Sequence, residues 1–149
     1  MGPTLLSVRS ASKRFGDVVA LEAVDLNIHE GEIIGLVGSN GAGKTTLLRL
    51  LSGVYRPTEG DVLLADGTQV EHGREQLGVV PENTGLYARL TAWENIRYHA
   101  RIHGIPDDEA WKRTMYFAQH LGMADVLGRH TKGFSRGMRQ KTALLRALV

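Results

Sequence analysis

The run Gly38-Ser39-Asn40-Gly41-Ala42-Gly43-Lys44-Thr45-Thr46 brings together a permissive backbone, a cation and two hydroxyls, the groups that a polyphosphate needs. It has the G-x-x-x-x-G-K-S/T spacing of a phosphate-binding loop. Gly38, Gly41 and Gly43 permit backbone geometries that a Cβ blocks, so successive amides can converge on an anion. Lys44 is spaced to reach β and γ phosphates as a point charge, with Thr45 offering a hydroxyl to Mg²⁺ and Thr46 supporting the cradle. A plain glycine-rich turn would not explain a Lys-Thr pair at the one place where phosphate chemistry uses it. The run therefore predicts a site for a nucleoside triphosphate.

Such a loop works only between a strand and a helix, and both flanks carry the expected pattern. Ile33-Ile34-Gly35-Leu36-Val37 is a short apolar run, predicted to be a strand buried on both faces of a parallel sheet. Leu47, Leu48, Leu50 and Leu51 recur at helical spacing, so the loop should feed a helix N-terminus whose free amides and dipole favour an anion. Before the loop, Leu5 to Val8, Val18 to Ala20 and the alternating Val24, Leu26 and Ile28 read as antiparallel strands ending in the turn His29-Glu30-Gly31-Glu32. After it, Gly60 to Ala65 reads as a strand closed by the Asp66-Gly67 turn, with Thr68 to Val70 returning beside it. Leu77 to Val80 reads as a further strand stopped by Pro81.

From Thr91 onward the pattern is helical. Thr91-Ala92-Trp93-Glu94 is a capping box opening a helix to about His103, and Pro106-Asp107-Asp108-Glu109 opens another to about His120. A third begins after Ser135 and carries Ala143, Leu144, Ala147 and Leu148 on one apolar face, whose leucines are expected to lack a partner surface in this chain. The predicted fold class is α/β, with a β lobe over 1–75, a connecting segment over 76–90 and a helical lobe over 91–149.

Composition narrows the partners. The 149 residues suit one domain or part of one, and a formal net charge of +2 is too balanced to argue for nucleic acid binding by bulk electrostatics. With no cysteine there is neither a disulfide framework nor a thiolate metal site. No apolar run approaches the roughly 18 residues that span a bilayer. Gly2 opens no myristoylation motif, because Leu6 stands where Ser or Thr is required.

Further positions, in order along the chain, resemble the ATP-binding subunit of an ABC transporter. Lys13-Arg14-Phe15-Gly16-Asp17 is similar to the family's A-loop, where an aromatic ring stacks on adenine. Leu77-Gly78-Val79-Val80-Pro81-Glu82 resembles the strand entering the Q-loop, with Glu82 where the family usually has glutamine beside the metal and the attacking water. A carboxylate there can still ligate Mg²⁺, but it lacks the amide donor and adds negative charge. The stretch from Pro81 to Asn95 resembles the branch of bacterial exporters that handle drugs, lipids or ions. Phe134-Ser135-Arg136-Gly137-Met138 resembles the signature motif, in which Ser135 and Gly137 match the usual Leu-Ser-Gly-Gly-Gln form while Arg136 and Met138 depart from it. Read alone, this last segment is an ordinary serine-capped helix. Arg136 and Arg139 in its first turn oppose the helix dipole by about 0.3 to 1 kcal/mol each, a conflict that a bound anion would relieve.

The resemblance implies a P-loop NTPase of ABC type in which the core sheet is incomplete, since the Walker B Asp, the catalytic Glu, the D-loop and the switch His are expected beyond Val149. The chain is then expected to be the N-terminal part of one ATPase domain and inactive by itself. The resemblance further implies ATP and Mg²⁺ as ligands, a transmembrane permease as partner and a second ATPase domain packed head to tail, with γ phosphate reached by Ser135 and Gly137 of the opposite subunit. Lys44 and Glu82 become the catalytic candidates, Thr45 and Glu82 the metal ligands, and the location cytoplasmic, peripheral on the inner face of the cell membrane. Alternatives are a cytosolic ABC-type ATPase without a permease, a P-loop kinase or GTPase, and a nucleotide-binding module without turnover. Val62-Leu63-Leu64-Ala65-Asp66 imitates a Walker B strand, but Asp66-Gly67 reads better as a turn. His99 and His103 share a helix face without a third metal ligand at useful spacing and read as solvated.

Overall fold

A computed structural model describes residues 2–149, which divide into two compact units, one up to Leu77 and one from Gly78 to Val149. The first unit is built on a long hairpin. Strand β1 (Thr4–Phe15) turns at Gly16 and Asp17 into β2 (Val18–His29), and β3 (Glu59–Leu64) pairs antiparallel with the other edge of β1, giving the order β2-β1-β3. Leu6 and Val8 on β1 and Val62 and Leu64 on β3 alternate with solvent-facing residues, the period-two pattern of a sheet covered on one side. Helix α1 (Lys44–Leu51) plugs that side with Leu50, and Ala11 and Val70 complete the buried cluster.

The hairpin ladder is interrupted where Ser10 and Ala23 both take a φ of +45°, an unusual conformation for residues with a Cβ. Side chains satisfy the amides that these irregularities free. Ser10 N–H donates to Asp25 Oδ1 at 2.8 Å, and Ala23 N–H donates to Ser12 Oγ at 2.9 Å.

Two predicted strands are absent. Residues 32–39 and 77–80 form no ladder, and Ile33 and Val37 are 98% and 95% exposed. A strand needs a neighbour to take its N–H and C=O groups, and among the described residues none lies beside these runs. The predicted return strand over Thr68 to Val70 is reduced to a bridge between Leu63 and Gln69 and a bond from Leu64 N–H to Thr68 O at 2.9 Å. The chain then winds into a 3₁₀ turn, Val70–His72, which drops Val70 into the core. Asp66 is a turn residue, its Oδ1 accepting Thr68 N–H at 2.9 Å.

In the second unit, α2 (Ala92–Ile102), α3 (Asp107–Leu121) and α4 (Arg136–Leu148) pack pairwise around Ala92, Ile96, Ala118, Met123, Leu127, Phe134 and Leu145. The capping box forms in both directions: Glu94 N–H donates to Thr91 Oγ1 at 3.1 Å, and Thr91 N–H donates to Glu94 Oε2 at 2.7 Å. Helix α4 buries only part of its predicted apolar face. Ala143 is buried, but Leu144 and Leu148 face solvent, and Thr142 and Leu145 point inward with Met138 and Val149 packed beside them. Thr142 can occupy that stripe because its hydroxyl donates back to Met138 O at 2.8 Å, which removes the cost of burying it.

The segment 83–91 is held to this bundle by Asn95. Its side chain is buried, with Oδ1 accepting Tyr87 N–H at 2.8 Å and Nδ2 donating to Tyr87 O at 3.1 Å and Thr91 O at 2.9 Å. Thr131 Oγ1 adds a bond to Tyr87 O at 3.0 Å, and the half-buried Arg146 donates to Thr84 O at 2.8 Å. Gly78 lies so close to α4 that a Cβ there would come within 2.4 Å of Ala147 O.

Candidate functional site

The loop 38–46 is positioned by β2 on one side and by α1 on the other. Gly43 is the N-cap of α1 with a φ of +90°, and a Cβ on it would approach Ala20 O to 2.7 Å and the Leu21 side chain to 2.8 Å. Only glycine lets the loop lie this close to β2. The helix it opens has neither a side-chain cap nor an acidic residue in its first turn. Its first backbone bond at this end runs from Leu47 N–H to Gly43 O at 2.9 Å, so the amides ahead of it lack a carbonyl one turn back. The partial positive charge of this helix end is therefore uncompensated.

Lys44 bends back over the loop, its Nζ donating to Gly38 O and to Ser39 O, each at 2.6 Å. Ala42 N–H closes a turn onto Ser39 O at 3.2 Å. Ser39, Asn40, Gly41 and Thr45 are exposed, and Thr46 is half-buried below them. An ammonium held by carbonyls, a solvent-facing hydroxyl and uncapped amides form a donor set suited to a polyphosphate with its divalent cation.

Phe15 lies at the end of β1, opposite Val18 and close along the same hairpin to the Ala20 and Leu21 segment that abuts Gly43. Its ring is 45% exposed and meets Tyr55 in a T-shaped contact, with centroids 5.3 Å apart and planes at 69°. Lys13 Nζ stands 5.2 Å from the Phe15 centroid and 5.6 Å from that of Tyr55. Sequence reasoning named Phe15 but missed Tyr55 and Arg49, which lie forty and thirty-four residues downstream and share no periodicity with it.

The remaining candidates are in the second unit. Glu82 is exposed, and its backbone oxygen accepts from Gln140 Nε2 at 3.3 Å. Ser135 caps α4, its Oγ accepting Met138 N–H at 3.1 Å, and Gly137 is exposed one turn edge away. The two first-turn arginines differ. Arg139 turns its guanidinium onto Phe134 O at 2.8 Å, which gives that charge an internal acceptor, whereas Arg136 faces solvent. His99 and His103 stack with centroids 4.6 Å apart. His99 is half-buried, contrary to the expected solvated face, and burial first, then His103 and Arg146, lower its imidazole pKa. No group of three or more His, Cys, Asp or Glu suited to a metal ion occurs among the described residues.

This fold, an antiparallel lobe with a glycine-rich loop running into a helix and a separate helical bundle, is that of an ATP-binding subunit. A solved structure of the ATP binding subunit of an ABC transporter superposes with a TM-score of 0.83 at 30% identity, covering 97% of this chain and 61% of that one. Residues 21–149 match the profile of the family described as ABC transporter, and the chain belongs to that family. Among curated relatives it is 39% identical over 154 residues to the ABC transporter ATP-binding protein NatA of Bacillus subtilis, covering 97% of this chain and 62% of the relative. It is 34% identical over 147 residues to the sn-glycerol-3-phosphate import ATP-binding protein UgpC of Bordetella pertussis, covering 97% of this chain and 41% of the relative. The chain thus spans less than two thirds of the length of these relatives. No helix among the described residues is long and apolar enough to cross a membrane.

Proposed function

We propose that the chain carries the nucleotide-binding part of an ATPase whose turnover drives a solute through a separate transmembrane permease. The observation that carries this reading is the loop 38–46, with Lys44 held over an uncapped helix start by carbonyls that it can exchange for phosphate oxygens. Gly38, Ser39, Asn40, Gly41, Ala42 and Gly43 supply the backbone cradle, Lys44 the charge on the β and γ phosphates, and Thr46 the support beneath. Thr45 offers its hydroxyl to Mg²⁺ and Phe15 its ring to adenine, and family resemblance gives Glu82 the role of a metal ligand. Bound Mg²⁺ supplies neutralisation of phosphate charge, and the rest of catalysis is positioning.

Ser135 and Gly137 meet the nucleotide of a second ATPase domain in a head-to-tail dimer, which rests on family resemblance and on the exposed start of α4. The protein would work at the cytoplasmic face of the membrane beside its permease. The finer reading of direction is export, supported by the resemblance of Pro81 to Asn95 to bacterial exporters. Import is a second reading, favoured by the name of the relative UgpC. ATP turnover by the full-length protein tests the core of the proposal: Lys44→Ala should abolish it, and undiminished turnover would refute it. Vesicles carrying the complex with its permease, loaded or bathed with labelled solute, then decide direction by which side ATP depletes.

A further inference from the structure

The ring of Phe15 is nearly half exposed and sits at the end of a hairpin, so burial alone does not fix its plane. Tyr55 does. Its amide donates to Arg49 O at 3.0 Å, and its hydroxyl accepts from Arg49 Nη1 at 2.7 Å, so both ends of the residue are tied to the last turn of α1. The Arg49 guanidinium also lies 5.3 Å from the Tyr55 centroid, and the ring packs against the core of the first unit. Lys13 is pinned by donating Nζ to Arg56 O at 2.8 Å, and from there it lies beside both aromatic rings, 5.2 Å from the Phe15 centroid and 5.6 Å from that of Tyr55. Phe15 thereby has a fixed ring and a fixed cation as neighbours, themselves next to each other, while part of the residue stays open to solvent.

We infer that Tyr55 is a positioning residue for nucleobase binding, orienting Phe15 through the T-shaped contact, with Arg49 as the anchor that keeps Tyr55 in place. This rests on the reading that Phe15 stacks on adenine. The inference adds a specificity device to that reading. Because α1 begins at Lys44 in the phosphate loop and ends at the residues that hold Tyr55, one short helix sets both the phosphate site and the base platform.

The test is equilibrium titration of the full-length protein with Mg-ATP and with Mg-inorganic triphosphate, which has no base. Tyr55→Leu is expected to weaken ATP about five- to tenfold, within the range that base stacking supplies, and to change triphosphate affinity less than about twofold. Tyr55→Phe, which keeps the ring, should recover most of the loss. In a Phe15→Ala background Tyr55→Leu should cost nothing more, because its effect passes through that ring. Tyr55→Leu that leaves ATP affinity unchanged, or that weakens both ligands alike, would overturn the inference. Arg49→Met serves if Tyr55→Leu fails to fold: a selective loss for ATP of about two- to threefold supports the anchor, and an unchanged ratio of ATP to triphosphate affinity overturns it. Phe15→Ala separates the two claims. If it leaves the ratio of ATP to triphosphate affinity unchanged, the adenine reading fails and the positioning role falls with it; if it shifts that ratio while Tyr55→Leu does not, the positioning role alone fails.

Discussion

Buried polar side chains are affordable only when their hydrogen-bonding groups are matched, and Asn95 meets that condition by holding Tyr87 at both its N–H and its C=O. Asn95→Leu would leave Tyr87 N–H without its acceptor, while Tyr87 O keeps Thr131 Oγ1 and Leu90 N–H and Thr91 O keeps the amide of residue 95. The expected result is a loss of about 1 to 3 kcal/mol in urea unfolding of the full-length protein, with faster amide exchange over 84–91. Unchanged exchange there would show that the loop is held by other means. At the cap of α2, the Thr91 amide hydrogen bond lowers the Glu94 carboxyl pKa below the ordinary glutamate range. A depressed folded pKa means that the unfolded chain binds protons more readily, so this carboxylate contributes stability above the unfolded glutamate pKa and loses it as pH falls through the folded one. A carbon-detected NMR titration should place Glu94 below the ordinary glutamate range, and Thr91→Ala, which removes the hydroxyl but keeps the amide, should raise it only part of the way back.

Elements were legible in the sequence where their cause is local. The caps at Thr91 and Ser135 each need only a hydroxyl and an amide three residues on, and both form. Ile33 to Val37 and Leu77 to Val80 have strand composition, yet a strand is a property of a ladder, and no partner for either lies among the described residues. The inward place of Thr142 on α4 was not legible, because the residue looks polar until its hydroxyl is seen bonded to Met138 O. The phosphate loop was legible as contiguous chemistry, whereas Tyr55 reaches Phe15 only through the fold. At this scale, the close approach of the loop to β2 is the feature to break. Gly43→Ala adds a Cβ at a φ of +90° against Ala20 O, and should cost more than about 1 kcal/mol of stability while weakening Mg-ATP binding. Titration and thermal unfolding of the same variant would check this, and wild-type values in both would contradict the packing argument.

For the whole molecule, the proposal requires two ATPase domains that close over nucleotide, with the exposed start of α4 meeting the ligand of its neighbour. Ser135→Arg removes the cap and places bulk at that start, so ATP-induced dimerisation of full-length, hydrolysis-blocked protein should be lost while monomer binding changes little. Light scattering with and without ATP reads the difference. An ATP-dependent dimer that persists in Ser135→Arg would remove α4 from the interface.

The central claim is that residues 38–46 bind the phosphates, and equilibrium titration of the full-length protein with Mg-ATP tests it most directly. Removing a charged donor from phosphate should cost about 1.5 to 3 kcal/mol, so Lys44→Ala is predicted to weaken both Mg-ATP and Mg-triphosphate about 10- to 100-fold. Affinities for both ligands within about twofold of the unaltered protein would contradict the account.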